Sequence, residues 1–236
     1  MLAMKDSVVL PLLLLDERRL QNYHMYTWKP QLESKPSEII QLEGHFRKDS
    51  HLIRLSDDKC AIGDSEGYVT IIDTHSNVTV SERITDQKIE GIDRFDDHTV
   101  LVTGIEAYGY SVKKWNYVTN EVTLLSDWEQ MGQPSYVDGI KKLSDTSYLE
   151  WYTGLAVIDT TGTNPPLSIS KLFKDQYGEG ITGRVKQVAL NGETVAFATD
   201  KNTLCTFNLS KGFLTKMETD AEVINLGFNG NTLIYL

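Results

Sequence analysis

The stretch of sequence that decides the fold is Cys60-Ala61-Ile62-Gly63-Asp64-Ser65-Glu66-Gly67-Tyr68-Val69-Thr70-Ile71-Ile72-Asp73. Two runs rich in apolar and β-branched residues flank the polar segment 63–67, which begins and ends with glycine. Apolar runs on either side of a short polar segment with glycine are typical of a β-hairpin. The sequence therefore predicts antiparallel strands over residues 59–63 and 68–73.

The same pattern recurs along the chain at a nearly constant period. Each predicted hairpin ends on a large apolar residue followed by a polar one, and these pairs are Trp28-Lys29, Ile72-Asp73, Trp115-Asn116, Ile158-Asp159 and Phe207-Asn208. Successive pairs are 44, 43, 43 and 49 residues apart. A second marker, with nearly the same period, is a polar turn at residues 56–58, 96–98, 144–146, 191–193 and 229–231. Two independent markers in one register indicate an internal repeat.

Four strands are predicted in each complete repeat, joined by turns rich in Asp, Asn, Ser or Gly. They cover residues 50–55, 59–63, 68–73 and 78–84, then 89–95, 99–104, 110–116 and 121–125, then 137–143, 147–151, 155–159 and 167–172, and finally 185–190, 194–198, 203–208 and 213–218. The only helical element predicted is a short turn around residues 126–131. Four antiparallel strands in every 40 to 50 residues are typical of a β-propeller blade.

The repeats resemble those of the WD40 family in three features. Gly44-His45 stands 27 residues before Ile72-Asp73 and matches the family's Gly-His dipeptide. The run Ala61-x-Gly63-x-Ser65-x-Gly67 matches its central hairpin, and Trp115-Asn116 stands where its Trp-Asp dipeptide falls. The resemblance covers most of the chain, although Gly-His occurs once and no Trp-Asp is intact. It implies an all-β propeller in which structural roles fall to Gly44, His45, Ile72, Asp73, Trp115, Asn116, Ile158 and Asp159. In that family the His and Asp form a hydrogen-bonded network, so blades without them are expected to depend on packing.

The predicted repeats at the two ends of the chain are incomplete. Strands are predicted at residues 8–15, 20–28 and 38–42, and again at 223–228 and 232–236. A ring of blades is most stable when no sheet edge stays open. We therefore predict one domain over residues 1–236 with five blades, whose closing blade is built from 1–42 and 221–236. The alternative is an open ring of about six blades, completed by a strand from a partner or a second copy.

Composition favours a soluble protein of the cytoplasm or nucleus. The 33 acidic and 23 basic side chains give a formal charge of -10, which repels nucleic-acid phosphates and anionic lipids. The apolar run 8–15 contains Pro11 and is too short to span a membrane. Cys60 and Cys205 lie in different predicted strands without a CxxC motif, so we expect two reduced core thiols.

Motifs for catalysis, cofactors and metals are weak. The GxGxxG pattern at residues 178–183 binds dinucleotides only between a strand and a helix, and the strand pattern that follows it predicts a connection between blades. The five histidines form no HxH or HExxH motif, so no metal site is expected. We expect no cofactor and no enzymatic activity. The alternative is a five-bladed propeller enzyme acting on a carbohydrate through paired carboxylates, for which the candidates are Asp93, Asp138 and Glu150.

The predicted function therefore depends on the surface. In a propeller, connections between blades and turns of the central hairpins project on one face, where exposed aromatic and Arg side chains anchor partners. The candidate partner-binding residues are Phe46, Arg47, Tyr108, Tyr110, Trp128, Tyr136, Phe173, Tyr177 and Arg184. The alternative is that several of these rings fill the core between blades. We predict a non-catalytic protein–protein interaction scaffold that docks a protein or peptide with basic residues and helps assemble a larger complex.

Overall fold

The computed structural model describes residues 2–3, 8–15, 21–28, 37–42, 51–76, 78–127, 137–152, 154–161 and 163–236, and below residue 51 it describes strand pairing alone. The chain divides into two compact units, residues 1–145 and 146–236. Among the described residues, antiparallel strands are the main regular secondary structure of each unit.

The first unit contains three four-stranded sheets and one further strand. The first sheet consists of β1 (Leu2–Ala3), β2 (Val8–Leu15), β3 (Gln21–Trp28) and β4 (Ser37–Leu42). The second consists of β5 (Leu52–Arg54), β6 (Lys59–Gly63), β7 (Tyr68–Asp73) and β8 (Val78–Arg83). The third consists of β9 (Ile89–Arg94), β10 (Thr99–Glu106), β11 (Gly109–Asn116) and β12 (Glu121–Asp127). Strand β13 (Gly139–Lys142) follows.

The second unit contains the remaining strands and one helix. Strands β14 (Ser147–Trp151), β15 (Leu155–Asp159) and β16 (Leu167–Ser168) complete the four-stranded sheet that β13 begins. Helix α1 (Ile169–Tyr177) follows. The fifth sheet consists of β17 (Val185–Asn191), β18 (Thr194–Thr199), β19 (Thr203–Asn208) and β20 (Phe213–Glu218). Strands β21 (Leu226–Asn229) and β22 (Thr232–Tyr235) form a two-stranded sheet.

The fold class is that of a β-propeller, as predicted: all-β, with five sheets of four antiparallel strands paired in chain order. Seven predicted strands match the observed bounds residue for residue, and these are β2, β6, β7, β14, β15, β19 and β20. The closing blade from residues 1–42 and 221–236, and the number of blades in a ring, stay predictions.

The second strand is the most buried element of the second, third and fifth sheets. Residues 60–63 of β6 and 99–104 of β10 are buried throughout, so neither strand alternates between core and solvent. In the first unit the apolar residues of the second and third sheets form one cluster around Trp115 and Val100, both wholly buried. Burial on both faces explains why these strands have continuous apolar runs in the sequence.

Helix α1 corrects the strand predicted at residues 167–172, which ends after Ser168. The Ser168 side chain accepts a hydrogen bond from the Lys171 N–H at 3.1 Å and caps the helix N-terminus. Gly178 ends the helix in the left-handed region, with φ of 74°. Ile169 and Phe173, four residues apart, bury one helix face. A cap serine, this spacing and a terminal glycine were the helix signals present in the sequence.

The polar residue that ends the third strand has a shared structural role in four of the described sheets. Asp73 Oδ1 accepts the N–H groups of His75 and Ser76, and Asn116 Oδ1 accepts those of Val118 and Thr119. Asp159 and Asn208 bind the turns that follow them in the same way. Short polar side chains that bind the backbone two or three residues ahead form Asx turns. The repeat marker in these sheets is therefore a turn residue. The Ser76 N–H lowers the carboxyl pKa of Asp73 to about 2, and the Thr161 hydroxyl, followed by the Thr161 N–H, does the same for Asp159.

Candidate functional site

A groove in the first unit contains Tyr108, the most exposed of the predicted interface residues that the structure describes. It has a volume of about 280 Å³ and we call it the Tyr108 groove. Its lining residues are Asp86, Glu106, Ala107, Tyr108, Tyr110, Ser111, Lys113 and Leu124. They come from the connection between β8 and β9, from the β10–β11 hairpin and from the outer strand β12.

Hydrogen bonds fasten the hairpin turn to the connection beside it. The Asp86 N–H donates to Glu106 Oε2 at 3.1 Å, and the Ala107 N–H donates to Asp86 Oδ2 at 3.0 Å. Two backbone bonds lie next to them, from Gln87 N to the Ile105 oxygen and from Ile105 N to the Lys88 oxygen. The two loops therefore form one rigid edge of the groove.

The base of the groove is an internal ion pair. Lys113 Nζ lies 2.7 Å from Glu106 Oε1 and also donates to the Ile84 carbonyl oxygen at 2.7 Å. The Ser111 hydroxyl donates to the same Glu106 carboxylate oxygen. Glu106 is thus neutralised by its surroundings, whereas the carboxylate of Asp86 accepts a neutral N–H. The net charge of the ionisable groups that line the groove is therefore negative.

Tyr108 lies at the tip of the hairpin and is 82% exposed. It stands in the two-residue turn between Glu106 and Gly109, which are paired in the ladder. Leu124 of β12 lines the same groove and is also exposed. An exposed tyrosine on a fixed turn, next to an exposed leucine, is the kind of surface from which interface anchors are drawn.

The structure places the other predicted interface residues in different settings. Tyr110 is 4% exposed and Phe173 is also buried, so both rings serve core packing and neither is available to a partner. Tyr177 is partly exposed, and its hydroxyl donates to the Leu214 carbonyl oxygen at 3.2 Å. The Arg184 guanidinium lies 4.8 Å from the ring centroid of Tyr152. Phe46, Arg47, Trp128, Tyr136, Gly44 and His45 lie outside the described residues.

Sequence reasoning missed Asp86, Glu106, Lys113 and Leu124. The first three become a site only through hydrogen bonds between loops about 20 residues apart, which no local pattern reveals. Leu124 had a signal, because Val122 and Leu124 alternate with polar residues on the outer strand and both are exposed.

A second cavity, of about 670 Å³, lies beyond the opposite end of β10. The Phe95 ring on its wall lies beside two ammonium groups, 4.4 Å from Lys142 and 4.9 Å from Lys114. Arg94 pairs with Asp97, and Lys142 pairs with Asp145 at 2.7 Å. Arg54 and Asp57 form the same pair in the preceding sheet. Because Arg94 and Lys142 are each paired with a carboxylate of the adjoining turn, the cavity has little unbalanced charge with which to bind a ligand.

The structure describes all three carboxylates that are candidates for carbohydrate cleavage. Burial raises the pKa of Asp93, although Lys142 N donates to it at 2.7 Å and Lys141 Nζ lies 3.6 Å away. Burial also raises the pKa of Glu150 to about 7, and its Oε2 has no hydrogen-bond partner among the described residues. A third cavity, of about 180 Å³, lies along β21 and β22. None of these three cavities is lined by Asp93, Asp138 or Glu150.

The cysteines are free and buried, as predicted, and burial raises the pKa of each thiol to about 12. Among the described side chains, no cluster of three His, Cys, Asp or Glu residues could hold a metal ion. The described part of the chain contains no helix with the length and apolar character needed to cross a membrane. The GxGxxG pattern follows α1 and leads into β17, so it is a connection between elements, as predicted.

Comparison with known proteins supports the fold. No protein-family model matches the chain, and neither does any curated protein sequence. The chain is similar to a chain in the crystal structure of a mitotic checkpoint complex, with a TM-score of 0.64 and 14% identity over 94% of this chain. It is also similar to the computationally designed Ika8 protein, with a TM-score of 0.62 and 16% identity over 91% of this chain. In both cases the match spans 64% of the other chain's length.

Proposed function

We propose that this chain is a non-catalytic scaffold that docks a protein or peptide through the Tyr108 groove and serves as a subunit of a larger complex. The observation that carries the proposal is the exposed Tyr108 on a turn fixed by the Asp86 and Glu106 hydrogen bonds. A surface that is already ordered loses little conformational entropy on binding, so more of the contact energy appears as affinity.

The groove favours a partner with an apolar anchor and a neighbouring basic residue. The anchor would pack between the Tyr108 ring and Leu124, both of which line the groove from exposed positions. The Asp86 carboxylate would receive a Lys or Arg side chain, and the chain's formal charge of -10 would attract such a partner from a distance. One of the two similar solved structures is part of a multi-protein complex, which accords with a role in assembly.

The same proposal places the protein in the cytoplasm or nucleus, without direct contact with nucleic acid or membrane. Two free, buried cysteines without a disulfide are usual in a reducing compartment. The acidic charge balance disfavours binding to phosphate backbones and anionic lipid heads.

The test compares capture of partners from a cell lysate by the intact chain, by Tyr108→Ala and by Phe213→Ala. Phe213 is the matched control because it is an exposed aromatic residue on β20 that does not line the groove. A stoichiometric partner retained by the control and lost with Tyr108→Ala supports the proposal. Titration with the purified partner should then show an affinity at least about tenfold weaker for Tyr108→Ala. Equal affinities for Tyr108→Ala and the intact chain would overturn the assignment of the groove.

The carbohydrate-cleaving alternative requires two carboxylates that face one cavity. Glu150, with a pKa of about 7 and an unpartnered oxygen, has the properties of a general acid. Glu150 lines none of the three cavities described above, so none of them brings a second carboxylate to face it. We therefore place the scaffold function first, and the carbohydrate-cleaving enzyme remains the alternative.

A further inference from the structure

The outer strands of the second, third and fifth sheets can be compared position by position. In each sheet the turn residue that ends the third strand pairs with the same position of the outer strand: Asp73 with Val78, Asn116 with Glu121 and Asn208 with Phe213. The residues one and three positions further along the outer strand are therefore equivalent. They are Thr79 and Ser81 on β8, Val122 and Leu124 on β12, and Leu214 and Lys216 on β20. Residues two apart in a strand point to one face, so each pair marks the same face of its outer strand.

The backbone groups of these two positions on β12 face away from the third sheet. Tyr117 N donates to the His98 oxygen, which lies on the side of β10. Alternate residues of an antiparallel strand turn their N–H and C=O groups to opposite neighbours, so Asn116 bonds to β12. By the same alternation along β12, Val122 and Leu124 point their N–H and C=O groups outward.

Helix α1 covers the equivalent face on the fifth sheet. Leu214 is 1% exposed, and its carbonyl oxygen accepts hydrogen bonds from the Gln176 side-chain amide at 2.8 Å and from the Tyr177 hydroxyl at 3.2 Å. Lys216 Nζ lies 5.8 Å from the centroid of the Phe173 ring. The helix belongs to the connection over residues 169–184, which is long enough to fold over the outer strand.

The third sheet has no such helix in the connection that precedes it. That connection is residues 84–88 alone, and it supplies Asp86 to the Tyr108 groove. Val122 is 42% exposed, and Leu124, which lines the groove, is 50% exposed. The equivalent residues of β8 are also exposed, but both are polar. Of these three outer strands, β12 therefore has apolar side chains at both positions without a cover from the described part of the chain.

We propose that the Tyr108 groove binds a short amphipathic helix of a partner protein, which lies against β12 as α1 lies against β20. The inference rests on the docking function proposed above and specifies the structure of the partner. Two apolar side chains four residues apart, as Ile169 and Phe173 are in α1, would cover Val122 and Leu124. A side-chain amide or hydroxyl one turn later would donate to an outward carbonyl oxygen, as Gln176 and Tyr177 do in α1.

The charge required of the partner helix differs from that of α1. Lys216 on β20 pairs at 2.7 Å with Glu179, which follows α1, so an acidic residue suits that surface. At the groove the equivalent residue is the uncharged Leu124, and the Asp86 carboxylate accepts a backbone N–H. The partner helix should therefore carry Lys or Arg near Asp86 in place of the acidic residue that follows α1.

The test uses a displayed peptide library built on residues 167–180 of this chain. The library keeps the capping residues of α1, its two buried apolar residues and its two hydrogen-bond donors, and it randomises the remaining positions. Selection against the intact chain should enrich peptides with Lys or Arg, because the net charge of the groove is negative. No enrichment above that obtained with a variant lacking the apolar face would overturn the helix site.

That variant is Val122→Thr with Leu124→Ser, which gives β12 the residues found on β8. A selected peptide should bind it at least about tenfold more weakly than it binds the intact chain. The matched control is Val78→Thr with Val80→Ser, because these residues are 55% and 40% exposed on β8, and it should bind the peptide with unchanged affinity. Equal affinities for the intact chain and the β12 variant would overturn the proposal.

Two further measurements separate the other occupants of the groove. Cα chemical shifts of the bound, isotope-labelled peptide should be helical, and extended shifts would show that a strand has been added to β12 instead. A thiol reagent should label Leu124→Cys rapidly in the free chain, since Cys60 and Cys205 are buried. Slow labelling would show that another part of this chain covers the face and would overturn the proposal.

The β12 variant also separates this inference from the docking function. A lysate partner that is lost with Tyr108→Ala but retained by the β12 variant would overturn the helix site and leave the docking function in place. A partner retained equally by both variants would overturn the assignment of the groove itself.

Discussion

The backbone N–H of Asp86 donates to the Glu106 carboxylate at 3.1 Å, joining the connection between the second and third sheets to the turn that carries Tyr108. The bond is one side of a reciprocal pair, because Asp86 Oδ2 accepts from Ala107 in the same turn. The position of the exposed ring therefore depends on two carboxylates, of which Glu106 is already paired within the chain and Asp86 is the one proposed to meet a partner.

Glu106→Ala should loosen the turn and leave the Lys113 ammonium without its carboxylate partner. We expect the Ala107 amide to exchange faster, the free energy of unfolding to fall by about 1 to 3 kcal/mol, and partner affinity to fall less than in Tyr108→Ala. Hydrogen exchange and denaturant unfolding check this. Glu106→Gln, which keeps an acceptor for Asp86, should lose less, and equal losses in both variants would contradict the role of the hydrogen bond.

Stability should depend on pH through Glu150. Its pKa is raised by burial from 4.5 to about 7 in the folded chain, so the folded state retains a proton that the unfolded state releases. The free energy of unfolding therefore falls as the pH rises from about 4.5 to about 7, by up to about 3 kcal/mol. Denaturant unfolding of the intact chain and Glu150→Gln across this range isolates the effect, because the variant has no carboxyl to titrate. Parallel curves for the two proteins would contradict it.

Phe173→Ala should destabilise the second unit by about 3 to 5 kcal/mol, because it removes a buried aromatic side chain from the packed face of α1. Tyr177→Phe, on the same helix, removes only the hydrogen bond to Leu214 and should cost about 0.5 to 1.5 kcal/mol. Chemical denaturation measures both losses. A cost for Phe173→Ala no larger than that for Tyr177→Phe would place the ring outside the core.

Gly67→Ala should be more damaging than Gly212→Ala, although both glycines have positive φ, of 92° and 63°. A Cβ at position 67 would lie 2.0 Å from the Thr85 carbonyl oxygen, whereas none of the described atoms lies within 4 Å of one at position 212. We expect a loss of at least about 3 kcal/mol for Gly67→Ala and about 1 kcal/mol for Gly212→Ala. Thermal unfolding distinguishes them, and similar melting temperatures would refute the close approach.

Much of the fold could be predicted from local patterns, because apolar runs separated by polar turns indicate the hairpins. The bounds of Tyr68–Asp73 and Thr203–Asn208 were predictable for this reason. Helix α1 was missed because the apolar residues of Ile169–Tyr177 also suit a strand, and only Ser168 and Gly178 mark its ends.

The candidate site was less predictable than the fold. Tyr108 and Tyr110 stand two residues apart in one hairpin, yet one is exposed and the other is buried. Alternation could not separate them, because Tyr110, Ser111 and Val112 are consecutive and all buried. The difference arises from how the hairpin meets its neighbours, and that information is spread over distant residues such as Asp86 and Leu124.

The Asx turns at Asp73, Asn116, Asp159 and Asn208 stabilise, in each of their four sheets, the turn that follows the third strand. Each of these bonds spans only two or three residues. A duplication of the gene segment that encodes one sheet therefore includes both partners of the bond. A gene for such a chain can gain or lose a repeat while the remaining repeats retain the residues that form their turns. Divergence between repeats is then limited mainly by the packing between sheets.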